Sequence, residues 1–159
     1  MSQATGSSIF DREDRLERLN NFLGGFVKSM GLRYVRAEPE EIVAELEIAP
    51  HLLQPYGLVH GGVYCSIIES VCSAGAALHV MAEGKNAVGL ENTTTFLRAA
   101  RSGTLRCTAK PLKIGRRTHV WNADIHDDED RPIASGRVRM MILDPGDRAG
   151  GREVRIEDP

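Results

Sequence analysis

One segment dictates the architecture. The run Gly61–Ala82 contains no proline and is rich in Ala, Ile, Val, Ser and Cys, so it reads as a helix that is apolar nearly all round. Such a helix belongs inside a core rather than on a surface, and the rest of the chain must wrap it. After Gly84 the period changes to that of strands: Asn86–Ala99, Gly103–Ile114, Arg117–Asp127 and Arg131–Leu143, with turn signals at Ser102-Gly103, Gly115 and Asp127–Asp130. Before the helix, Leu32–Ala37 and Glu41–Ala49 read as two more strands around Pro39. The second alternates Ile42, Ala44, Leu46 and Ile48 against Glu41, Glu45 and Glu47, leaving one face wet. Pro50–Val59 reads as a loop.

No helix separates the last four strands, which excludes an alternating βαβ chain and a Rossmann-type fold. The expected class is α+β, an antiparallel sheet of about six strands wrapped around one long helix. An additional N-terminal helix is expected, capped by Asp11, from the spacing of Leu16, Leu19, Phe22, Leu23, Phe26, Val27 and Met30. Gly24-Gly25 weakens it and Gly31 stops it. With 159 residues, 42% hydrophobic and 26% charged, the chain suits one domain, expected over residues 11–143, with flexible tails at 1–10 and 144–159.

A net charge of −2 gives no overall attraction to nucleic acid or an anionic membrane. The three cysteines, Cys65, Cys72 and Cys107, form no C-x-x-C pair, and their odd number fits a disulfide framework poorly; a reducing cytoplasm is expected. No signal-like segment opens the chain, and no stretch of about 18 uninterrupted apolar residues is present. The five histidines fall on different predicted elements without metal-ligand spacing, so no metal site is expected.

Between Gly62 and Leu78 the only side chain charged at neutral pH is Glu69. A carboxylate in an apolar helix must be paired, protonated or used. Ser73, four residues on, shares its face. A structural glutamate bonded to a neighbouring amide or arginine is the plainer alternative. At the start of the helix His60-Gly61-Gly62 offers unpaired backbone N–H groups that could hold a polarised carbonyl oxygen, or glycines that merely permit a tight turn. Gly61 and Glu69 lie roughly 12–14 Å apart along one helix, so one carbonyl cannot touch both within one chain. If both act, the Gly61 of one subunit faces the Glu69 of another.

From Arg98 to Arg117 the chain carries Arg98, Arg101, Arg106, Lys110, Lys113, Arg116 and Arg117 with no Asp or Glu between them. This is either a set of solvated strand edges or a clamp for a phosphorylated ligand. Nucleic acid is disfavoured, because few aromatics accompany the cations to stack on bases.

With these residues in view, the chain resembles the hotdog-fold acyl-CoA thioesterases of the 4-hydroxybenzoyl-CoA thioesterase type that use a helix glutamate. Within them it is most similar to the bacterial 1,4-dihydroxy-2-naphthoyl-CoA thioesterases and their aryl-carrier-protein proofreading relatives. Gln54-Pro55-Tyr56-Gly57-Leu58-Val59-His60-Gly61-Gly62 carries the likeness, followed by Glu69-Ser70, Ser73, Val88-Gly89-Leu90-Glu91, Arg98–Gly103, Lys110-Pro111-Leu112 and Val120-Trp121.

The resemblance implies a hotdog fold, paired into dimers and commonly tetramers, with active sites between subunits. It implies Glu69 as nucleophile or general base and the Gly61 amide as the group polarising the thioester carbonyl. Gln54 would position substrate or water, with His60 and Ser73 in support. It implies CoA phosphates on Arg98, Arg101 and Arg116, with Gly115 beside them, and an acyl pocket near Tyr56 and Gly62. CoA is then part of the substrate, an acyl-CoA or aryl-CoA ester, and no cofactor is required. Two alternatives stand beside hydrolysis: a hydratase or dehydratase on the same fold, which would release no thiol, and a non-catalytic acyl-CoA-binding module, which would not need Glu69.

Overall fold

The computed structural model describes residues 12–155. The expected cap Asp11 and the residues 1–10 expected as a tail lie outside the described residues. The N-terminal helix is two helices, α1 (Arg12–Asn21) and α2 (Gly25–Met30), because the chain breaks at Phe22–Gly24. Asn20 fixes α1 in place. Its side-chain amide donates to the Leu16 and Tyr34 carbonyls, and its Oδ1 accepts the Tyr34 N–H at 2.9 Å. Gly31, with φ of 80°, ends α2 in the left-handed conformation that glycine tolerates.

The six expected strands are present: β1 (Arg33–Glu38), β2 (Glu41–Glu47), β3 (Asn86–Phe96), β4 (Thr104–Ile114), β5 (Thr118–His126) and β6 (Pro132–Leu143). They form one antiparallel sheet in the order β1-β2-β4-β5-β6-β3. The long helix α3 (Gly61–Val80) continues into a single 3-10 turn at Met81–Glu83 and packs against β2 to β6. This is the hotdog arrangement that the resemblance implies.

The core lies between α3 and the concave face of the sheet. Trp121 on β5 is wholly buried, which contributes about 1.5–3 kcal/mol on the scale of a large apolar side chain. It packs flush because the facing helix residue is Gly75: a Cβ there would sit 2.5 Å from two carbons of the indole ring. Cys72 and Cys107 are buried in the same core, as expected of small apolar residues, and burial pushes both thiols up. All three cysteines are free.

Two expectations change. In the single chain α3 is not buried all round. A stripe through Gly62, Ser66, Glu69, Ser70, Ser73 and Ala77 stays partly or fully open, because the sheet covers only the faces opposite. The stretch from Asp144, expected as a flexible tail, forms a short hairpin, β7 (Arg148–Ala149) with β8 (Arg152–Glu153). Its turns use positive φ at Gly146, Gly150 and Gly151. The Asp147 carboxylate accepts the Asp144 N–H, and the Val154 carbonyl accepts from the Asn86 side chain on β3. Residues 156–159 lie outside the described residues.

By length and composition alone Gly61–Glu83, mean hydropathy 1.4, is long and apolar enough to cross a membrane. In this fold that apolarity is spent on the sheet.

Candidate active site

Three elements converge along the open stripe of α3: its N-terminus, the loop before it, and the edge strand β3. The loop is shaped by the turn Gln54–Gly57, closed by Gly57 N–H to Gln54 O at 2.9 Å and by the Leu53–Val59 bridge. Gly57 takes a φ of 69°. The loop delivers His60 as the N-cap of α3, where its Nδ1 accepts the Gly62 N–H at 2.9 Å. An acceptor at Nδ1 puts the ring proton of the neutral imidazole on Nε2.

His60 is therefore a capping residue, and the cap has a chemical consequence. It satisfies Gly62, and its carbonyl takes the Val63 N–H, while the Gly61 N–H has no hydrogen-bond partner among the described residues. This is a free donor at the positive end of a 20-residue helix. The Phe96 ring from the end of β3 leans over Gly61 so closely that a Cβ there would lie 2.5 Å from the ring. Phe96 also packs against Tyr64 with ring centroids 5.7 Å apart, and is itself 54% exposed.

Glu69 lies two turns further on, half-buried, with its carboxylate aimed at β3. Ser73 Oγ lies 3.4 Å from Oε1, as the spacing predicts. Asn92 Nδ2 donates to Oε2 at 3.2 Å and to the Cys65 carbonyl at 3.0 Å. Gly89 provides the slot, since any Cβ at that position would collide with Oε1. Glu69 is thus hydrogen-bonded by neutral donors and has no salt bridge among the described residues. Within one helix it stays about 12 Å from the Gly61 amide.

The remaining expected site residues are more dispersed. Gln54 is half-buried and its side-chain amide makes no hydrogen bond among the described residues, so it is available to a ligand. Tyr56, expected at the acyl pocket, is 80% exposed in the single chain. Gly62 is exposed beside His60. Arg101 Nη1 donates to the carbonyls of Tyr56 and Gly57 at 3.1 and 3.2 Å, so its guanidinium already braces the loop.

Arg98 is exposed. Arg116 and Arg117 lie on the turn that Gly115 closes through its N–H to Thr118 O at 3.0 Å, at a recess also lined by Lys85, Leu90 and Met141 and by the acidic Asp144 and Asp147. None of Arg98, Arg116 and Arg117 forms an ion pair among the described residues. Arg101 and Arg116 flank the 11-residue β4, which separates them by about 33 Å. One chain therefore does not gather these arginines around one phosphate group.

Neither Asn92 nor Phe96 was among the expected site residues, and Gly89 entered only as part of a motif. The polar alternation of β3 reads as solvent-facing until the register against α3 is known.

The antiparallel sheet wrapped around α3 is a hotdog fold, with a carboxylate on the open helix face and an amide without a partner among the described residues at the helix start. The chain belongs to the thioesterase superfamily, whose family model matches residues 56–134, and it is a thioester hydrolase. Rv1847 of Mycobacterium tuberculosis, named as a candidate esterase, is 44% identical over 121 residues, covering 75% of this chain and 86% of that protein. The 1,4-dihydroxy-2-naphthoyl-CoA hydrolase of Escherichia coli is 34% identical over 136 residues, covering 85% and 99%. Among solved structures, a mutant of the thioesterase PA1618 from Pseudomonas aeruginosa superposes with a TM-score of 0.76 at 30% identity, covering 80% of this chain and 93% of that one.

Proposed function

We propose that the protein hydrolyses an aryl-CoA thioester to the free acid and CoA, at a site shared between two copies of the chain. The observation that carries this reading is the pairing, on one open helix face, of a free Gly61 N–H with an anchored Glu69 carboxylate too far along the helix to meet the same carbonyl. A second copy resolves the distance. β3 is an 11-residue edge strand whose outer side has no partner among the described residues, and it exposes Leu90 and Phe96. An unpaired edge of that length is a template for another strand, and the stripe from Gly62 to Ser73 runs beside it. The assembly is a homodimer or a dimer of such dimers.

In this site the Gly61 N–H donates to the thioester carbonyl oxygen as negative charge develops there. Glu69 of the other subunit then acts in one of two ways. It attacks the carbonyl carbon and expels CoA thiolate, leaving a mixed anhydride that water cleaves, or it takes a proton from the attacking water. Gln54 orients the substrate or the water. His60 sets the helix start and Ser73 steadies the carboxylate. Tyr56 and Gly62 border the acyl group. Arg98 and Arg116, which form no ion pair among the described residues, are the groups offered to the CoA phosphates, with Gly115 shaping the turn that presents Arg116. Arg101 holds the loop. No cofactor enters the chemistry. The aryl preference rests on the naphthoyl-CoA hydrolase among the relatives.

Free-thiol release from aryl-CoA and fatty acyl-CoA esters tests the reaction: Glu69→Gln should abolish it. Absence of thiol release from the wild type would favour the hydratase or binding-module readings. The shared site is tested by mixing Glu69→Gln subunits with Gly61→Pro subunits. Random pairing in equal amounts makes about half of the dimers mixed, each with one intact site, so about a quarter of wild-type activity returns if the sites are shared. If each chain holds a complete site, nothing returns.

A further inference from the structure

We infer that Asn92 is a positioning residue that selects which oxygen of Glu69 reacts, an inference that rests on the reading of Glu69 as the catalytic carboxylate. The side-chain amide of Asn92 faces two acceptors, the Cys65 carbonyl at 3.0 Å and Glu69 Oε2 at 3.2 Å. Its Oδ1 faces one donor, the Thr94 hydroxyl at 2.7 Å. Only one orientation of the amide satisfies this set. Flipping it would put Oδ1 against two acceptors and the NH2 group against the hydroxyl.

Thr94 therefore holds Asn92, and Asn92 ties Glu69 Oε2 to the backbone of its own helix one turn earlier. Among the described residues the other oxygen, Oε1, has only the 3.4 Å hydrogen bond from Ser73 Oγ and the bare Cα of Gly89 beside it. It keeps a free lone pair for the carbonyl carbon or a water. A carboxylate on a flexible three-bond side chain would otherwise sample several rotamers; here β3 binds one oxygen through the Asn92 amide and offers the other no side-chain donor. Such restriction contributes to rate by keeping the reacting atom in its attack position.

The test compares two substitutions of different character, with kcat and KM for an aryl-CoA ester measured separately. Asn92→Asp preserves shape but replaces the donor by a like charge facing Glu69. Asn92→Ala removes the side chain without adding charge. If Asn92 positions Glu69, the isosteric Asp variant is the worse enzyme. Its kcat should fall by more than about 30-fold against about tenfold for Ala, the scale of one hydrogen bond to a charged group, with KM within about twofold in both.

If Asn92 only supports the strand, Ala is as bad as Asp or worse and the inference falls; it falls equally if neither variant changes kcat. Thr94→Val, nearly isosteric, gives an independent arm. It should lower kcat about threefold alone and add nothing on the Asn92→Ala background, because its effect passes through Asn92; additive losses would overturn the relay. Glu69→Gln run in parallel separates the two layers. If it retains turnover, Glu69 is not the catalytic group and the underlying reading fails. If it is inactive while the Asn92 variants are normal, only the positioning role fails.

Discussion

Gly61→Pro removes the candidate oxyanion donor while disturbing little else, and the structure allows the two effects to be weighed. Gly61 is the first helical residue after the cap, where proline is well tolerated. His60 precedes it at φ −64° and ψ 133°, within the extended region that a following proline requires. The Gly61 N–H has no partner among the described residues, so its loss breaks no internal hydrogen bond. What the added ring does meet is Phe96, at 2.5, 2.8 and 3.2 Å from the Cβ position.

Phe96 is half-exposed and can swing outward. The cost is its contact with Tyr64, about 0.5–1.5 kcal/mol for an aromatic pair. The reduced freedom of the unfolded chain offsets about 0.4–1 kcal/mol. Stability should therefore change by no more than about 1 kcal/mol, or about 2–4 °C in Tm for a chain of this size. Loss of one oxyanion donor costs about 2.7–4 kcal/mol at the transition state, a fall in kcat of about 100- to 1,000-fold. Gly61→Ala supplies the control, since it displaces the same ring and keeps the N–H. Thiol-release kinetics and thermal melts on both variants decide the matter. Equal kcat values for Pro and Ala, with both folded, would refute the assignment of the Gly61 amide.

Two further outcomes follow from the core. Gly75→Ala should gain about 1 kcal/mol of helix propensity, but its methyl would strike the rigid, fully buried Trp121 ring, and overpacking costs about 1–3 kcal/mol. The net is a destabilisation of up to about 2 kcal/mol, visible as a lower urea midpoint, and a stabilised variant would contradict the packing. His119, 2% exposed with its ring edge-to-face on His79, has its pKa lowered by burial and then by His79. Between this lowered value and the ordinary 6.5 the unfolded chain binds more protons than the folded one, so stability falls as pH drops below about 6.5. Urea midpoints between pH 7.5 and 5 should show this slope in the wild type and a shallower one in His119→Gln.

The elements were legible because each carries a local signal. Gly61 and the apolar run fixed α3 to within a residue at its start, and Gly115 and Asp127–Asp130 separated β4, β5 and β6. The strand order was not legible. Alternation tells a strand which face is buried, not which neighbour it takes, so nothing in Glu41–Glu47 points to β4 across an intervening helix and strand. The break at Phe22–Gly24 was visible only as a weakness, and the β7–β8 hairpin was hidden because its glycines and acids also suit a flexible tail. Glu69 and Gly61 stood out as a charge and a glycine in an apolar helix. Asn92 did not, because a polar residue on an edge strand has the pattern of a solvent face until its register is known. Arg101 carried the same charge as its neighbours, yet its guanidinium answers two loop carbonyls.

The discrepancy at α3 is the most informative one. A helix apolar nearly all round should be covered on every side, yet in the single chain the stripe through Glu69 lies open. Six residues place Gly75, sealed against Trp121, about 120° around the helix from Glu69. The sheet therefore accounts for one side, while the small residues Ser66, Ser70 and Ser73 lie towards the other and stay only partly covered by the described residues. The two expectations, a buried helix and a site too long for one subunit, have a common answer in the proposed dimer. In that proposal the surface that completes the core is also the one that brings Gly61 of the second copy to the carboxylate that Asn92 binds.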